Sequence, residues 1–292
     1  MWYWMMRLQG LLGMAPYRVY YKLRGISFSS RCKECGGWIS EYYYLRTGVC
    51  RNCEREKIRL DPANYYVASD ERYQLHEEEY KKQLPEKGAS DLYYNRIAKK
   101  VRSGKVLDAG CGTGYLLRRL HDHSSSDLYG VDLGIGALQI AKVWVPDANF
   151  CLTNIMNIPF KANSFDCVIC AAVLEHVDEK QGNAVVRECY RVLKPGGTGL
   201  FLVPTGKGVG DTINPEHIQS FTYDGLLNLL GDAGFEIIDG QKFGLYLPLV
   251  SPFLELLLRI SGRRLPISTV FDIEVPQLFA AELLAECCKP KA

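Results

Sequence analysis

The stretch VLDAGCGTGY, Val106–Tyr115, restricts the fold of this chain more than any other. An apolar run leads straight into Gly110, Gly112 and Gly114, and an amphipathic segment starts at once from Tyr115. Strand, glycine turn and helix in that order open a βαβ unit. Its glycines let the backbone take positive φ and approach a ligand that side chains would keep away. Short apolar strands then alternate with amphipathic stretches. Strands are expected near Val106–Ala109, Leu128–Asp132, Phe150–Leu152, Asp166–Cys170 and Thr198–Val203, with helices filling the gaps. That alternation predicts an α/β fold with a doubly wound, mostly parallel sheet covered on both faces. The 47% apolar content supports one large core, and 292 residues leave room for a smaller appendage.

A glycine triplet alone is weak evidence, because some such runs are only tight turns. Its neighbours narrow the meaning. A dinucleotide fingerprint asks for glycine at position 115, where close helix packing requires it, and Tyr115 stands there, which disfavours NAD. Asp132 closes the second expected strand about 20 residues beyond the loop, the place of a carboxylate that accepts from both hydroxyls of a ribose. The plainer alternative for Asp132 is a helix cap.

Three further stretches join the glycine loop: NIPFKANSFDCVICAAVLEHV from Asn157, RVLKPGGTGLFLVP from Arg191 and PEHIQSFTYDGLLNLLGDAGF from Pro215. Together they resemble the class I S-adenosylmethionine (SAM) dependent methyltransferases, particularly the small-molecule group related to ubiquinone and menaquinone methyltransferases. The resemblance spans roughly Lys105 to Phe235 and implies a Rossmann-like fold with SAM as cofactor. It further implies that Asp108 orders the loop Gly110, Gly112, Gly114 near the methionine end of SAM, and that Gly110 and Gly112 let the cofactor approach the backbone. Asp132 would hold the ribose, with Leu133 against the adenine. Asn154 and the backbone of Ile155 would meet the adenine edge, and Ala171 would line the pocket near the sulfonium. Asn154 stands where the family often has aspartate, and an amide oxygen can bond the same edge.

Methyl transfer from a sulfonium is an in-line displacement to which a protein contributes alignment and, for some acceptors, a base. The sequence AAVLEHV follows the fourth strand, so the Asn/Asp-Pro-Pro-aromatic motif of DNA adenine and glutamine amide methyltransferases is missing and those acceptors are disfavoured. His176 after the fourth strand and His217 after the fifth are the candidate catalytic bases, since an imidazole ordinarily titrates near neutrality. Each has the ordinary alternative of capping a helix or bonding a backbone carbonyl. Glu175 reads as structural, with orientation of the acceptor as its alternative.

Cys32 and Cys35 form one C-x-x-C and Cys50 and Cys53 another, with fourteen residues between them. Two tight turns on a hairpin bring four thiolates into a tetrahedral shell, so a structural zinc ribbon is expected, with no open position for a substrate. Cys167 and Cys170 make a third C-x-x-C, but on a buried strand residues three apart face opposite sides, so both read as core. Cys111 reads as small filler, His121 and His123 as an exposed loop. Cysteines used in this way fit a reducing cytosol.

The expected organisation is an amphipathic helical segment over 1–30, the ribbon over 31–60, a helical linker or lid over 61–104, the SAM domain over 105–240 and a helical, leucine-rich acceptor cover over 241–292. The apolar start, Trp2 to Met6, ends at Arg7 without a basic leader or cleavage site, and no apolar run reaches the roughly 18 residues of a spanning helix. A peripheral membrane contact through the first segment stays open. Net charge is +2, yet Arg18 to Arg59 holds ten basic and four acidic residues. Three functions follow. The first is methylation of an O, N or C atom of a small or lipid-linked molecule such as a sugar, quinone or secondary metabolite. The second is methylation of an RNA base, with the basic ribbon and Tyr42, Tyr43 and Tyr44 holding RNA. The third is a non-catalytic SAM-binding scaffold.

Overall fold

The computed structural model describes residues 35, 89–123, 126–206, 216–245, 274–276 and 280–291. The first segment and the ribbon, Cys35 excepted, lie outside them. Helix α1 (Ala89–Lys100) precedes β1 (Lys105–Ala109), α2 (Tyr115–His123), β2 (Asp127–Asp132), α3 (Ile135–Trp144), β3 (Asn149–Leu152) and β4 (Phe165–Ala171). A 3-10 turn (Leu174–His176) leads to α4 (Glu179–Val192), β5 (Leu193–Pro204), α5 (Tyr223–Asp232), β6 (Glu236–Leu245) and β7 (Ala280–Cys288).

The seven strands form one sheet in the order β3-β2-β1-β4-β5-β7-β6. Strands β1 to β5 run parallel, and β7 enters antiparallel between β5 and β6. The strand order reverses between β1 and β4, and in such sheets the crevice beyond the carboxyl ends of those two strands is where ligands bind. Leu116, Leu117, Leu120, Leu138, Ile140 and Trp144 of α2 and α3 bury one face of the sheet together with Ile97 of α1. Val185, Val186, Cys189 and Val192 of α4, with Leu226 and Leu230 of α5, bury the other. Residues on the central strand β4 are buried on both sides, which is why its sequence reads as a near-continuous apolar run. Cys170 faces the α4 side and Cys167 the α2 side, so the third C-x-x-C is core, as expected. Burial pushes the Cys167 thiol up to about 12, which keeps it an inert thiol.

Local chemistry starts the helices. Asp178 Oδ1 accepts from Gln181 N at 2.8 Å while Gln181 Oε1 accepts from Asp178 N at 3.0 Å, a reciprocal cap at the start of α4. Thr222 caps α5 by accepting from Gly225 N. Helix α1 is laid across the antiparallel end of the sheet: Lys100 Nζ binds Asp239 at 2.8 Å and Glu286 at 2.6 Å, and the Arg96 guanidinium lies 4.5 Å over the Phe243 ring. Among the described residues no helix is long and apolar enough to cross a membrane.

Three expectations change. Residues 153–164, between β3 and β4, are turns and not a helix, because Asn154, Asn157, Pro159 and Asn163, the last at φ 57°, favour turns over a helical run. The sheet does not stop near residue 240: β6 and β7 belong to it, so part of the expected cover is sheet interior. Short apolar runs such as AAELLAECC fit a strand or a helix equally by pattern, and pairing with distant β5 decides the matter. His121 and His123 end α2 and are not in a loop.

Candidate active site

At the end of β1 the chain turns through Gly110, Gly112 and Gly114, at φ 87°, 51° and 77°. Gly110 N and Cys111 N both donate to Val131 O, at 2.8 and 3.0 Å, tying the loop to β2. Gly112 N donates to Asp132 Oδ2 at 2.8 Å and Gly134 N to Oδ1 of the same carboxylate at 2.9 Å. Asp132 therefore joins the glycine loop to the turn that starts α3. A carboxylate oxygen can accept more than one hydrogen bond, so such a group is able to take a ligand hydroxyl as well. The glycines differ in what surrounds them. A Cβ on Gly110 would lie 2.5 Å from Val173 Cγ2, and one on Gly114 2.8 Å from Ala141 Cβ, whereas one on Gly112 would meet nothing within 4 Å. Packing therefore demands the first and third glycines, while Gly112 borders open space at the carboxyl edge of the sheet, ahead of the α2 N-terminus.

Asp108, two residues before the loop, is 3% exposed. Burial, and then the charge of Asp132, push its carboxyl up to about 7. Cys111 is buried, and its thiol is raised well above the ordinary range by burial and by the charges of Asp108 and Asp132, which fits filler and not a nucleophile. On the adenine side of the expected pocket, Thr153 N donates to Asp132 O, and Asn154 Oδ1 accepts from Met156 N at 2.9 Å. The amide oxygen of Asn154 thus already shapes the turn that holds buried Ile155, with one lone pair remaining for a ligand. Leu133 is half-buried beside Asp132, and Ala171 is buried at the end of β4.

Beyond Ala171 the chain reverses through Ala172, at φ 56°, into the turn carrying Leu174, Glu175 and His176. The segment that holds His217 is stapled onto it. Ile218 N donates to Glu175 O at 2.8 Å, Gln219 Nε2 to Leu174 O at 2.6 Å, and His176 Nδ1 to Glu216 O at 3.1 Å. The rings of His176 and His217 meet edge to face with centroids 4.9 Å apart, and His176 Nε2 lies 4.0 Å from Glu175 Oε1. Glu175 is 1% exposed. The two histidines named separately from sequence form one cluster, and Glu175 joins it.

Tyr94 of α1 is a site residue that sequence reasoning missed. Burial and the charges of Asp108, Glu175 and Glu282 raise its phenol far above the ordinary range, so it keeps its proton. Its ring packs on Tyr115, at 5.4 Å, where the glycine loop becomes α2. A tyrosine on an amphipathic helix carries no local sign of such a neighbourhood. Of the expected zinc ligands, Cys35 is exposed, and Cys32, Cys50 and Cys53 lie outside the described residues.

Residues 107–201 match the model of the methyltransferase domain family. A relative from Mycolicibacterium smegmatis, described as a probable SAM-dependent methyltransferase, is 31% identical over 154 residues, covering 51% of this chain and 58% of that protein. The ubiquinone biosynthesis O-methyltransferase of Pectobacterium carotovorum is 31% identical over 115 residues, 37% of this chain and 46% of that protein. The chain thus spans about half the length of the curated relatives it matches. Among solved structures, the [4+2]-cyclase SpnF aligns with a TM-score of 0.53 at 22% identity over 70% of this chain and 82% of that one. Phosphoethanolamine N-methyltransferase 2 of Haemonchus contortus, solved with SAM, aligns at 0.51 and 19% identity over 69% of this chain and 52% of that one. These two likenesses concern the fold alone. Residues 107–201 are therefore similar to a methyltransferase domain, carried within a longer chain.

Proposed function

We propose that the chain transfers a methyl group from SAM to an O, N or C atom of a small or lipid-linked acceptor. The observation that carries this reading is the pairing of two features on one sheet edge. One is a glycine loop open at Gly112 and tied to the Asp132 carboxylate; the other is a histidine pair one strand away. SAM, when bound, supplies the electrophilic methyl on its sulfonium. The residues fit that cofactor: Gly112 leaves the backbone approachable, Asp132 offers lone pairs to ribose hydroxyls, Leu133, Asn154 and Ile155 border the adenine side, and Asp108 and Ala171 lie toward the sulfonium. Tyr94 encloses the site from α1 and, with Leu174 and Val173, limits access of water. His217 and His176 stand where the proton of a hydroxyl or ammonium acceptor is removed, and Glu175 orients them.

The name of the Pectobacterium relative supports a quinone-like or phenolic acceptor, although the cyclase with the same fold shows that fold alone does not select a reaction. We further assign Cys32, Cys35, Cys50 and Cys53 to a structural zinc ribbon on the strength of their spacing. The deciding measurement is turnover and cofactor affinity of His217→Ala against a panel of phenolic, sugar and amine acceptors. Affinity for S-adenosylhomocysteine (SAH) is retained while turnover drops roughly a hundredfold. Unchanged turnover removes His217 from the chemistry, and no SAH binding by the unmodified chain ends the methyltransferase reading. Tight RNA binding that weakens steeply with salt, in place of small-molecule turnover, moves the acceptor to RNA.

A further inference from the structure

We propose that Glu175, His176 and His217 form a divalent metal site beside the methyl-transfer seat. The proposal rests on the methyltransferase reading and states how its acceptor is held. One donor atom from each of the three residues lies within 4.8 Å of the others. They sit on two segments fixed by backbone bonds, Ile218 N to Glu175 O and Gln219 Nε2 to Leu174 O. A carbonyl oxygen only accepts, so the bond from His176 Nδ1 to Glu216 O places a proton on Nδ1, and the neutral ring then directs its lone pair through Nε2, the atom 4.0 Å from Glu175 Oε1. Metal-bound histidines show this arrangement, with the second ring nitrogen donating to a carbonyl. Donors about 2.0–2.2 Å from a common tetrahedral ion lie about 3.3–3.6 Å apart, so small side-chain turns close the cluster.

Two imidazoles and one carboxylate select a transition-metal dication over magnesium or calcium, which favour all-oxygen shells. Three protein ligands leave positions open for an acceptor oxygen. There the histidines act as ligands and take no proton: the cation weakens the O–H bond, the proton passes to solvent, and the oxygen's electron pair forms the new O–C bond as the S–C bond of SAM breaks and SAH leaves. The site lies at the mouth of the SAM seat, since Val173, which packs on Gly110, is two residues before Glu175. The preferred acceptor is accordingly a hydroxyl that can ligate a metal, such as a catechol or other vicinal oxygen pair.

The test uses the full chain with its ribbon cysteines zinc-loaded, titrated with Co2+ and followed by visible absorption and calorimetry. The expected result is one equivalent of Co2+ giving ligand-field bands without the near-ultraviolet sulfur-to-cobalt band. His176→Gln and His217→Gln should each weaken its binding by at least about tenfold while SAH binding is unchanged. Absence of such bands in the unmodified chain, or Co2+ affinity in both variants equal to that of the unmodified chain, overturns the proposal. Should a variant lose SAH binding through misfolding, paramagnetically shifted imidazole N–H resonances in the cobalt-loaded unmodified chain decide, and their absence overturns it equally. Failure of the unmodified chain to bind SAH, with the cobalt signals present, counts against methyl transfer and leaves the metal site standing.

Discussion

Gly110 and Gly112 are two residues apart, yet alanine at each should fail differently. Gly110 holds φ 87° with its pro-Cβ direction 2.5 Å from Val173 Cγ2, so alanine there adds both strain and overlap. A left-handed backbone costs an L-residue about 1–2 kcal/mol, and forcing a methyl into a packed site costs about 1–3 kcal/mol more. Together these give a loss of about 2–5 kcal/mol. Gly112 holds φ 51° with nothing within 4 Å of a Cβ, so only the first cost, about 1–2 kcal/mol, applies. For a domain of this size the difference of about 1–3 kcal/mol corresponds to roughly 2–12 °C in melting temperature. Binding should follow a different order. A methyl on Gly112 projects into the open space proposed for the cofactor, so Gly112→Ala is expected to lose SAH affinity by well over tenfold while keeping its fold. The assays are differential scanning fluorimetry without ligand and calorimetry with SAH. Gly112→Ala melting as low as Gly110→Ala, or binding SAH undiminished, would refute the assignment of that open space to the cofactor.

Two further outcomes are expected. Because burial raises the Asp108 carboxyl to about 7, above its unfolded value, its favourable contribution to stability is whole below the unfolded value near ~4 and is lost as pH rises to about 7. Asp108→Asn should therefore gain stability relative to the unmodified chain between about pH 5 and 8 in denaturant titrations. Over the same interval, the preference for cationic SAM over neutral SAH should rise only where Asp108 is present; a ratio independent of pH would contradict its place near the sulfonium. For the ribbon, a cobalt-substituted chain should show sulfur-to-cobalt absorption that disappears in Cys32→Ser/Cys50→Ser while SAH binding persists, and an unaltered band would exclude those cysteines as ligands.

How much of the site could be read in advance depended on how local its determinants are. The glycine loop and Asp132 were legible because a strand, a positive-φ turn and a helix are encoded by neighbouring residues, and the acid at the next strand end follows from the fixed length of one βαβ unit. Residues 153–164 depart from the strand–helix alternation because their asparagines and proline close turns. The continuation of the sheet past residue 240 was hidden because AAELLAECC has no partner in its own neighbourhood; β5, more than 70 residues earlier, supplies it.

From the chain alone came the parallel α/β class, the loop at Gly110 to Gly114 and the two histidines as separate candidates, all resting on periodicity and backbone freedom within a few residues. The tertiary structure decided that Glu175, His176 and His217 meet, that Tyr94 lies among the carboxylates, and that Gly112 faces open space while Gly110 does not. Those are matters of distance between segments far apart in the chain, and such distances are set by packing of the sheet and its helices, which no single stretch of sequence encodes.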